Sequence, residues 1–358
     1  MSTAQATKRT ILMIAPQYPP AINGLGDYAA RLGEGLAEAG YPVHYAGLEQ
    51  TDVVTVQPYT ALQPNGTHLL QIVRKQSIDI IVLNYSGYGY QRKGIPVWLV
   101  QAMQQVEAAG CRVIVFFHEL YASGPPWTSA FWLHGQQKKI FRQLYQLAAV
   151  SFCSNRVVAG LIQKATPDAG EKNSCIGLFS NIPESDQLSV WENKQPQLVV
   201  FGSPEIRSNT YSVLRENQSH LMQLGAEAIL DIGVALDASV YEGLSIPVKI
   251  LGILPAEKVS QYMSAARFGA LFYPDALLGK SGIMAAYAAH GLCVLNGGKL
   301  QHENPDGLIA GQHYINLTQP MSASVAADKM AAQALTWYQL HDFQRHLQVY
   351  LETIKTSY

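Results

Sequence analysis

The sequence predicts an α/β protein made of two Rossmann-like βα domains that face one another across a cleft. The chain has 358 residues, which is more than one typical core needs and suits two domains. Apolar runs of strand length alternate with amphipathic helical patterns, as in parallel sheets covered on both faces. A strand, loop and helix series starts at Thr10 and starts again at Leu198. Functional residues are therefore expected in the loops that follow the strands.

The first half carries the strands and helices of one such domain. The Gly-rich loop Asn23–Gly26 follows the first apolar run and opens an amphipathic helix. A further helix is predicted at Ile95–Gly110, where apolar side chains recur at intervals of three and four residues. Strands are predicted at Ile11–Ala15, Val43–Leu48, Ile78–Tyr85, Arg112–His118 and Ala148–Ser154.

The polar stretch Glu184–Gln197 is the predicted linker to the second domain. The pattern of Ser322–Ile354 predicts one or two terminal helices. We therefore assign residues 1–190 to an N-terminal domain, 191–335 to a C-terminal domain and 336–358 to a terminal helix that packs back towards the N-terminal domain. Strands of the second domain are predicted at Leu198–Ser203, Ala226–Gly233, Val248–Leu254, Phe268–Pro274 and Leu292–Gly297.

Composition argues against several classes of function. The net charge is -1 and charged residues make up 14% of the chain, so the clustered Lys and Arg that bind nucleic acid or anionic lipid over a large surface are not indicated. No apolar run reaches the roughly 20 residues that span a bilayer, and Met1–Arg9 lacks the apolar stretch of a signal peptide. We expect a cytoplasmic protein with no integral membrane segment and no nucleic-acid partner. The four cysteines form no CxxC pair and are expected to be reduced core residues.

Two features at strand ends of the first domain suggest ligand contacts. Gly24 and Gly26 would let a phosphate approach the backbone NH groups of the first helix. The spacing is not GxGxxG, so a nicotinamide dinucleotide site is not indicated, and a turn without a ligand is an equal alternative. His118 ends an apolar strand, where an imidazole can bind a substrate hydroxyl or a diphosphate oxygen, or merely cap the strand. We favour function because Glu119 and the loop Ala122–Trp127 follow at once.

Aromatic side chains beside glycines suggest a wall for a sugar or another polyol. The run Asn84–Tyr90 follows a predicted strand and interleaves three tyrosines with two glycines. Tyrosines on a loop offer flat faces and hydroxyl groups to such a ligand, although aromatic residues near a cleft more often serve packing. The residues predicted to contact an acceptor are Tyr18, Tyr85, Tyr88 and Trp127.

Two basic residues in the second domain suggest a diphosphate site. Arg207 lies just beyond a predicted strand end, and Lys280 lies in Gly279–Gly282, which precedes a helix. Cationic side chains and a helix N-terminus together stabilise a diphosphate, whereas a lone Lys or Arg is more often a solvated surface charge. The GKSG sequence is not a Walker A loop, because the position of its first glycine is Pro274.

These features resemble the two-domain GT-B glycosyltransferases, particularly the retaining family 4 group that includes sucrose synthases and mannosyltransferases. The resemblance spans nearly the whole chain and includes Ala288–Leu295, which is similar to the family's EAMAAGxPVV segment. It implies that the N-terminal domain lies on the acceptor side and the C-terminal domain on the donor side. It further implies catalytic roles for His118, Arg207 and Lys280, and donor contacts from Gly24, Leu25, Gly26, Leu254, Ser281 and Gly282.

The chain departs from the family at its paired glutamates. The second glutamate position is Ala286, and the first falls at Leu278, or at Lys280 if the loop is shorter. The loss removes acceptors for sugar and ribose hydroxyl groups, so we consider an acidic sugar donor as a hypothesis. Asp275 and Glu303 are alternative carboxylates.

The resulting hypothesis is a metal-independent glycosyltransferase that moves a sugar from a nucleoside diphosphate donor to a hydroxyl acceptor, with no further cofactor. The resemblance implies retention of anomeric configuration. The acceptor classes considered are small molecules, glycans and lipid-linked hydroxyl groups. A sugar-nucleotide epimerase and a noncatalytic relative that binds a sugar nucleotide or a partner protein remain alternatives.

Overall fold

The chain forms two compact units in a computed structural model. The structure describes residues 8–19, 24–48, 58–167, 172–185, 188–301, 304–322 and 324–356. Unit 1 comprises Met1–Ile176 and Leu347–Tyr358, and unit 2 comprises Gly177–His346. The statements below concern the described residues of each unit taken separately.

Unit 1 contains a seven-stranded sheet in the order β3-β2-β1-β4-β5-β6-β7, and neighbouring strands are parallel. Its strands are β1 (Ile11–Ile14), β2 (Val43–Leu48), β3 (Thr60–Leu62), β4 (Ile80–Tyr85), β5 (Arg112–Phe117), β6 (Val150–Cys153) and β7 (Asn173–Cys175). Its helices are α1 (Gly24–Glu38), α2 (Gly66–Gln76), α3 (Gly87–Tyr90), α4 (Val97–Ala108), α5 (Ser129–Leu147) and α6 (Arg156–Ala165).

Unit 2 repeats this plan with a six-stranded parallel sheet in the order β10-β9-β8-β11-β12-β13. Short 3₁₀ helices cover Trp191–Asn193, Ala238–Tyr241 and Asp275–Lys280. The strands are β8 (Gln195–Phe201), β9 (Ala228–Ile232), β10 (Val248–Gly252), β11 (Ala266–Leu271), β12 (Cys293–Asn296) and β13 (Tyr314–Asn316). The helices are α7 (Pro204–Glu216), α8 (Gln218–Gln223), α9 (Ala256–Ala265), α10 (Gly282–Ala289), α11 (Ala327–Gln339) and α12 (Phe343–Lys355), the last of which continues into unit 1.

The predicted α/β class with two parallel-sheet domains is confirmed, because each unit is a doubly wound α/β layer structure. Strands β4 and β5 are buried along their whole length, which explains why their sequences are apolar except at Asn84 and Arg112. The predictions missed β3, β7 and β13, which have three residues each. These strands lie at sheet edges and are too short to give a distinct apolar run.

The sheet order reverses direction at one point in each unit. This switch point lies between β1 and β4 in unit 1 and between β8 and β11 in unit 2. Loops diverge on either side of such a point and leave a crevice outside the carboxyl ends of the strands, where ligands bind in open α/β sheets. Each unit therefore has one position at which its topology favours a ligand site.

Close packing beside the unit 2 switch point depends on one glycine. The Tyr287 hydroxyl group donates to the carbonyl oxygens of Val199 and Ala270, at 3.0 and 3.1 Å, and so joins β8 to β11. A Cβ atom on Gly269 would lie 2.6 Å from the Tyr287 ring. Glycine is needed here because α10 brings a fully buried tyrosine directly onto the sheet.

The cysteine prediction needs one correction. All four cysteines are free thiols, and Cys111, Cys153 and Cys293 are buried as predicted. Cys175, however, is exposed. It lies on the edge strand β7, whose outer side has no neighbouring strand in the sheet.

The compact units divide the chain at other positions than the composition-based limits, residues 190 and 335. The first residues of unit 2 contact the helices at the C-terminal end of the same unit. Its Ser180 NH donates to the Tyr338 hydroxyl group at 3.0 Å, and the Tyr338 hydroxyl group also binds the Glu184 carboxylate. The rings of Phe179 and Phe343 meet with their centroids 5.1 Å apart. The polar composition of residues 184–197 therefore does not mark where unit 2 begins.

Two buried histidines at this junction make unit 2 sensitive to acid. His341 and His346 place their Nδ1 atoms 3.1 and 3.0 Å from the carbonyl oxygens of Leu178 and Gly177. Burial lowers the pKa of His341 to about 4 and that of His346 to about 3. Because the unfolded chain takes up these protons near pH 6.5 and the native state does not, stability is full above that pH and falls as the pH decreases towards 4.

We expect His346→Gln to weaken this pH dependence. Between pH 4 and 6, the slope of the free energy of unfolding against pH should be smaller than in the parent by about 1.4 kcal/mol per pH unit. The reason is that the variant takes up one proton fewer on unfolding. Urea denaturation at several pH values measures the slope. His44→Gln, on β2 of unit 1, is the control and should keep the parent slope. A His346→Gln slope equal to that of the parent would contradict this assignment.

Candidate functional site

The unit 1 switch point brings together the glycine-opened helix and the strand-end histidine. Helix α1 starts at Gly24, which is exposed, whereas Gly26 is buried in its first turn. Leu25 is half-buried, and Asn23 lies outside the described residues. His118 follows β5, and its backbone NH donates to the carbonyl oxygen of Tyr85 at 3.0 Å. The Gly24–Gly26 turn and His118 therefore belong to one end of the same sheet.

A buried asparagine fixes the orientation of the His118 ring. The Nδ2 atom of Asn84 donates to the carbonyl oxygen of Ile14 on β1 at 3.2 Å, so its Oδ1 atom faces His118. This Oδ1 lies 3.2 Å from Nε2 of His118. An amide oxygen only accepts, so Nε2 carries the hydrogen, and Nδ1 is the basic nitrogen of the neutral ring. Hydrogen bonds across the switch point thus select one tautomer.

Aromatic rings enclose the same imidazole. The Tyr28 ring, in the second turn of α1, meets His118 edge to face at a centroid distance of 4.9 Å. The Phe116 ring lies 4.4 Å from it, measured between centroids. The histidine is half-buried as a result. This packing links the ring position to the first turns of α1.

A half-buried carboxylate precedes Tyr28 in the first turn of α1. Burial raises the pKa of Asp27 to about 7. Among the described residues, Asp27 has no hydrogen-bond or ion-pair partner. A carboxylate with this pKa can accept a proton at neutral pH. Asp27 is not conspicuous in the sequence, because an acidic residue in a first helical turn is usual.

A second polar pair lies beyond the ends of β4 and β5. The Ser86 hydroxyl group donates to Oε2 of Glu119 at 2.8 Å. Ser86 is buried and Glu119 is exposed. Glu119 therefore presents a carboxylate at the same sheet edge as His118, held by the neighbouring loop.

The predicted acceptor residues divide into buried and exposed pairs. Tyr18 is fully buried and donates to the carbonyl oxygen of Met13 at 2.8 Å, and Tyr85 is also fully buried. Tyr88 and Trp127 are 45% and 84% exposed. As the structure stands, only the second pair presents ring surface to a ligand. The aromatic pattern of the sequence did not separate core rings from surface rings.

Arg207 lies inside unit 2 and forms an ion pair. It follows the N-cap Ser203 of α7, and its guanidinium group contacts the carboxylate of Asp231 on β9. Both side chains are fully buried. The remaining donors bind carbonyl oxygens, Nε that of Gly202 at 3.1 Å and Nη2 that of Val234. A ligand would reach Arg207 only if these contacts opened, so its predicted diphosphate role stays a prediction.

Lys280 occupies a different environment, at the start of α10. It ends a 3₁₀ helix, is half-buried, and makes no ion pair or hydrogen bond with another described residue. Ser281 caps α10 by accepting from the NH of Met284 at 3.2 Å, and Gly282 is the first helical residue. The lysine and the helix N-terminus thus offer positive charge at one place.

The loop after β8 reaches this helix start. A Cβ atom on Gly202, whose φ is +128°, would lie 2.5 Å from Cδ1 of Ile283 in the first turn of α10. Gly202 also binds Arg207 through its carbonyl oxygen. The predicted Arg and Lys loops of unit 2 therefore touch. Leu254 lies after β10 and is half-buried.

The positions that correspond to the family's glutamates are apolar or cationic. Leu278 and Ala286 are buried in the unit 2 core, and Lys280 is the cation described above. Asp275 is buried, and its carboxylate binds the Tyr314 hydroxyl group and the NH of Gln301. It is therefore held within the core, and Glu303 lies outside the described residues.

Neither a metal cluster nor a bilayer span is found in the described part of the chain. Among these residues, no group of three or more His, Cys, Asp or Glu side chains is placed to hold a metal ion. No helix there has both the length and the apolar content needed to cross a membrane.

Comparison with known proteins shows the fold and not a family. No protein-family model matches the chain, and no curated protein is similar to it in sequence. An α-glucosyltransferase in complex with UDP and a 13-mer DNA containing a HMU base superposes with a TM-score of 0.61 at 10% identity, over 97% of this chain and 99% of that one.

Two further solved structures have the same architecture. WaaG, a glycosyltransferase involved in lipopolysaccharide biosynthesis, gives a TM-score of 0.58 at 13% identity, over 97% of this chain and 100% of WaaG. A Listeria monocytogenes protein assigned as a UDP-N-acetylglucosamine 2-epimerase gives 0.55 at 13% identity, over 98% of both chains. The two parallel-sheet α/β units thus match those of GT-B glycosyltransferases.

Proposed function

We propose that this protein is a glycosyltransferase that moves a sugar from a nucleoside diphosphate donor to a hydroxyl acceptor. The observation that carries the proposal is the unit 1 switch point, where His118 is held in one tautomer beside the glycine-opened start of α1. An imidazole with a fixed basic nitrogen can bind a sugar hydroxyl group or accept its proton. The shared architecture with UDP-bound glycosyltransferase structures agrees with it.

On the donor side, unit 2 would bind the diphosphate at the start of α10. Lys280 and the NH groups that follow Ser281 would stabilise negative charge on the leaving group, with no metal ion required. Gly282 lets a phosphate approach, because the space beside its Cα is open. Leu254 would contact the donor from the loop after β10. The Arg207–Asp231 pair supports this site by holding the Gly202 loop.

On the acceptor side, unit 1 would supply the proton-transfer groups and an aromatic surface. Gly24, Leu25 and Gly26 would line the donor phosphate, as the resemblance implies. Tyr88 and Trp127 would contact the acceptor, since their rings are exposed at the same sheet edge. Tyr18 and Tyr85 would act only by shaping the core beneath the site. The acceptor is a small molecule, a glycan or a lipid-linked hydroxyl group.

The stereochemical outcome has two candidates. Resemblance to the family 4 group implies retention of the anomeric configuration. Asp27 favours inversion, because a carboxylate with a pKa near 7 can deprotonate an acceptor for a single displacement. The anomeric proton signal of the product, followed by NMR from the start of the reaction, distinguishes the two.

Two measurements test the proposal as a whole. Thermal unfolding across nucleoside diphosphates and their sugars should show a higher Tm with at least one of them, since a ligand that binds the native state stabilises it. Product analysis with that donor and a mixture of acceptors should then show a transferred sugar. A donor converted to its epimer without an acceptor would establish the epimerase alternative instead. Binding without turnover would establish a noncatalytic relative.

Lys280→Gln should separate phosphate binding from base binding. We expect the Kd for the bound nucleoside diphosphate to rise at least about tenfold, because a charge-assisted hydrogen bond contributes roughly 1.5–3 kcal/mol. The Kd for the corresponding nucleoside should stay unchanged. Isothermal titration calorimetry measures both. Lys249→Gln, an exposed lysine on β10, is the matched control. Equal losses for nucleoside and diphosphate would contradict a phosphate contact at Lys280.

The missing glutamates make the donor sugar a separate question. The Lys280 ammonium group can pair with the carboxylate of an acidic sugar. It cannot accept a hydrogen bond from the hydroxyl groups of a neutral sugar, because an ammonium group only donates. We therefore expect a uronic acid donor to be preferred in a panel of nucleotide sugars. Equal or better turnover of neutral donors would rule this preference out and leave glycosyl transfer intact.

A further inference from the structure

Large aromatic side chains are exposed at the start of α5. Trp127 and Trp132 are 84% and 74% exposed, and Phe131 is 45% exposed. The rings of Phe131 and Trp132 touch edge to face, with centroids 5.4 Å apart. Scattered exposed apolar residues are normal, but three exposed aromatic side chains within six residues of sequence, two of them in contact, indicate a site of interaction.

Helix capping does not account for these two tryptophans. Thr128 is the N-cap of α5, and its hydroxyl oxygen accepts from the NH of Phe131 at 3.4 Å. The residue before an N-cap often packs on the residue four positions after the cap, as a hydrophobic staple. These positions are Trp127 and Trp132. Both rings are highly exposed, so they do not pack on each other as a hydrophobic staple.

The sequence around this cluster is strongly cationic. Residues 80–167 contain eight Lys and Arg but two Asp and Glu, and no acidic residue occurs between Leu120 and Pro167. Arg92, Lys93 and Lys139 are exposed and pair with no acidic side chain among the described residues. The net charge of -1 for the whole chain conceals this local excess.

A buried glutamine holds the cationic loop against the helix. Gln137 of α5 donates through Nε2 to the carbonyl oxygen of Lys93 at 2.8 Å and to the Tyr88 hydroxyl group at 3.0 Å. Its Oε1 accepts from the NH of Ala122 at 2.7 Å. The loops that follow β4 and β5 are therefore both hydrogen-bonded to α5. We treat the exposed side chains of these loops and of α5 as one surface.

We propose that this surface docks the protein on a lipid bilayer that contains anionic lipids. The α5 surface is defined as Arg92, Lys93, Trp127, Phe131, Trp132 and Lys139. Tryptophan and phenylalanine rings partition into the headgroup region of a bilayer, and exposed Lys and Arg attract anionic headgroups. The proposal goes beyond glycosyl transfer and does not require it. A protein docked in this way would present the His118 end of unit 1 near the membrane, where lipid-linked acceptors are found.

A bilayer suits the α5 surface better than a nucleic acid does. Single-stranded nucleic acids stack successive bases on aromatic faces. The Phe131 and Trp132 rings are inclined at 86° to each other, so they do not form a continuous stacking platform. A headgroup layer has no such requirement, because it accepts rings in any orientation.

Vesicle binding by the full chain tests the proposal. We expect co-sedimentation with vesicles made of equal parts phosphatidylcholine and phosphatidylglycerol, and little with phosphatidylcholine alone. The double variant W127S/W132S should bind at least about tenfold more weakly, because each buried CH₂ group contributes to membrane affinity. The double variant K93Q/K139Q should lose about fivefold for each lysine. A blue shift of tryptophan emission should accompany binding and be absent from W127S/W132S.

Matched variants keep the test specific. Met222→Ser with Leu340→Ser removes exposed apolar side chains from unit 2, and Lys258→Gln with Lys329→Gln removes exposed lysines there. Both controls should bind vesicles like the parent, and thermal unfolding should show every variant folded.

Several results would overturn the docking proposal. They are unchanged binding by W127S/W132S, equal binding to vesicles without anionic lipid, and salt-sensitive retention on single-stranded DNA without vesicle binding. Self-association that depends on Trp127 and Trp132, in place of vesicle binding, would assign the surface to a second copy of the chain. Sugar transfer to a soluble acceptor is measured on the parent chain without vesicles, so failure of the docking proposal leaves the proposed function standing.

Discussion

Asp231→Ala is expected to destabilise unit 2 by about 3–5 kcal/mol, because it leaves the Arg207 guanidinium group buried without its counter-charge. Asp231 also accepts from the hydroxyl groups of Tyr211 and Tyr241, at 2.8 and 3.2 Å. The substitution therefore leaves three side chains, on α7 and the adjoining loop, without the carboxylate that accepts their hydrogen bonds. Urea denaturation followed by circular dichroism measures the loss, with Asp328→Ala, at an exposed aspartate of α11, as control.

The double variant distinguishes an unpaired charge from a simple loss of packing. Arg207→Met combined with Asp231→Leu removes both charges and keeps much of the side-chain volume. Replacing a buried pair by apolar residues is often neutral, so we expect the double variant to lose less than the sum of the single variants. Additive losses, or a loss below about 1 kcal/mol for Asp231→Ala, would show that the ion pair does not hold the Gly202 loop.

Most of the fold follows from the sequence because buried parallel strands need apolar side chains on both faces. Strand β2 was predicted with its observed limits, Val43–Leu48, and β4 and β5 within two residues. Strands of three residues are too short to give a distinct apolar run, which is why β7 and β13 gave no signal. The unit limits depend on tertiary contacts such as Tyr338 with Glu184, which local composition does not encode.

The candidate site was predictable where topology alone decides position. His118 lies at the carboxyl end of β5, as expected for a residue that directly follows an apolar strand. The burial of Arg207, on helix α7, was not predictable, because it depends on Asp231, a residue 24 positions away on strand β9. Asp27 was overlooked for a related reason. Its special property is partial burial beside Tyr28, which the pattern of an amphipathic helix does not reveal.

Asp27→Asn should abolish most activity and at the same time stabilise the protein. If Asp27 accepts the acceptor proton, loss of the carboxylate should lower kcat by about 10²–10⁴, the usual contribution of general-base catalysis. The parent should gain activity as the pH rises through about 7, where Asp27 ionises in the folded protein. The variant should show a low rate without that rise.

The stability change has the opposite sign because the native state disfavours the ionised carboxylate. Burial raises the pKa of Asp27 from 3.8 to about 7, so the parent is most stable below pH 4 with respect to this group and loses that stability as the pH rises to 7. Asparagine carries no charge, and above pH 7 the variant should be more stable by about 2–4 kcal/mol.

Glu34→Gln on the same helix separates these effects, since burial raises the pKa of Glu34 as well. It should leave the kcat and the activity profile near pH 7 unchanged. A structural role for Asp27 would predict lower stability of Asp27→Asn with a proportionate fall in activity. A less active yet more stable variant is instead the expected consequence of a carboxylate kept partly buried for catalysis, because stability is then given up for a proton acceptor that works near neutral pH.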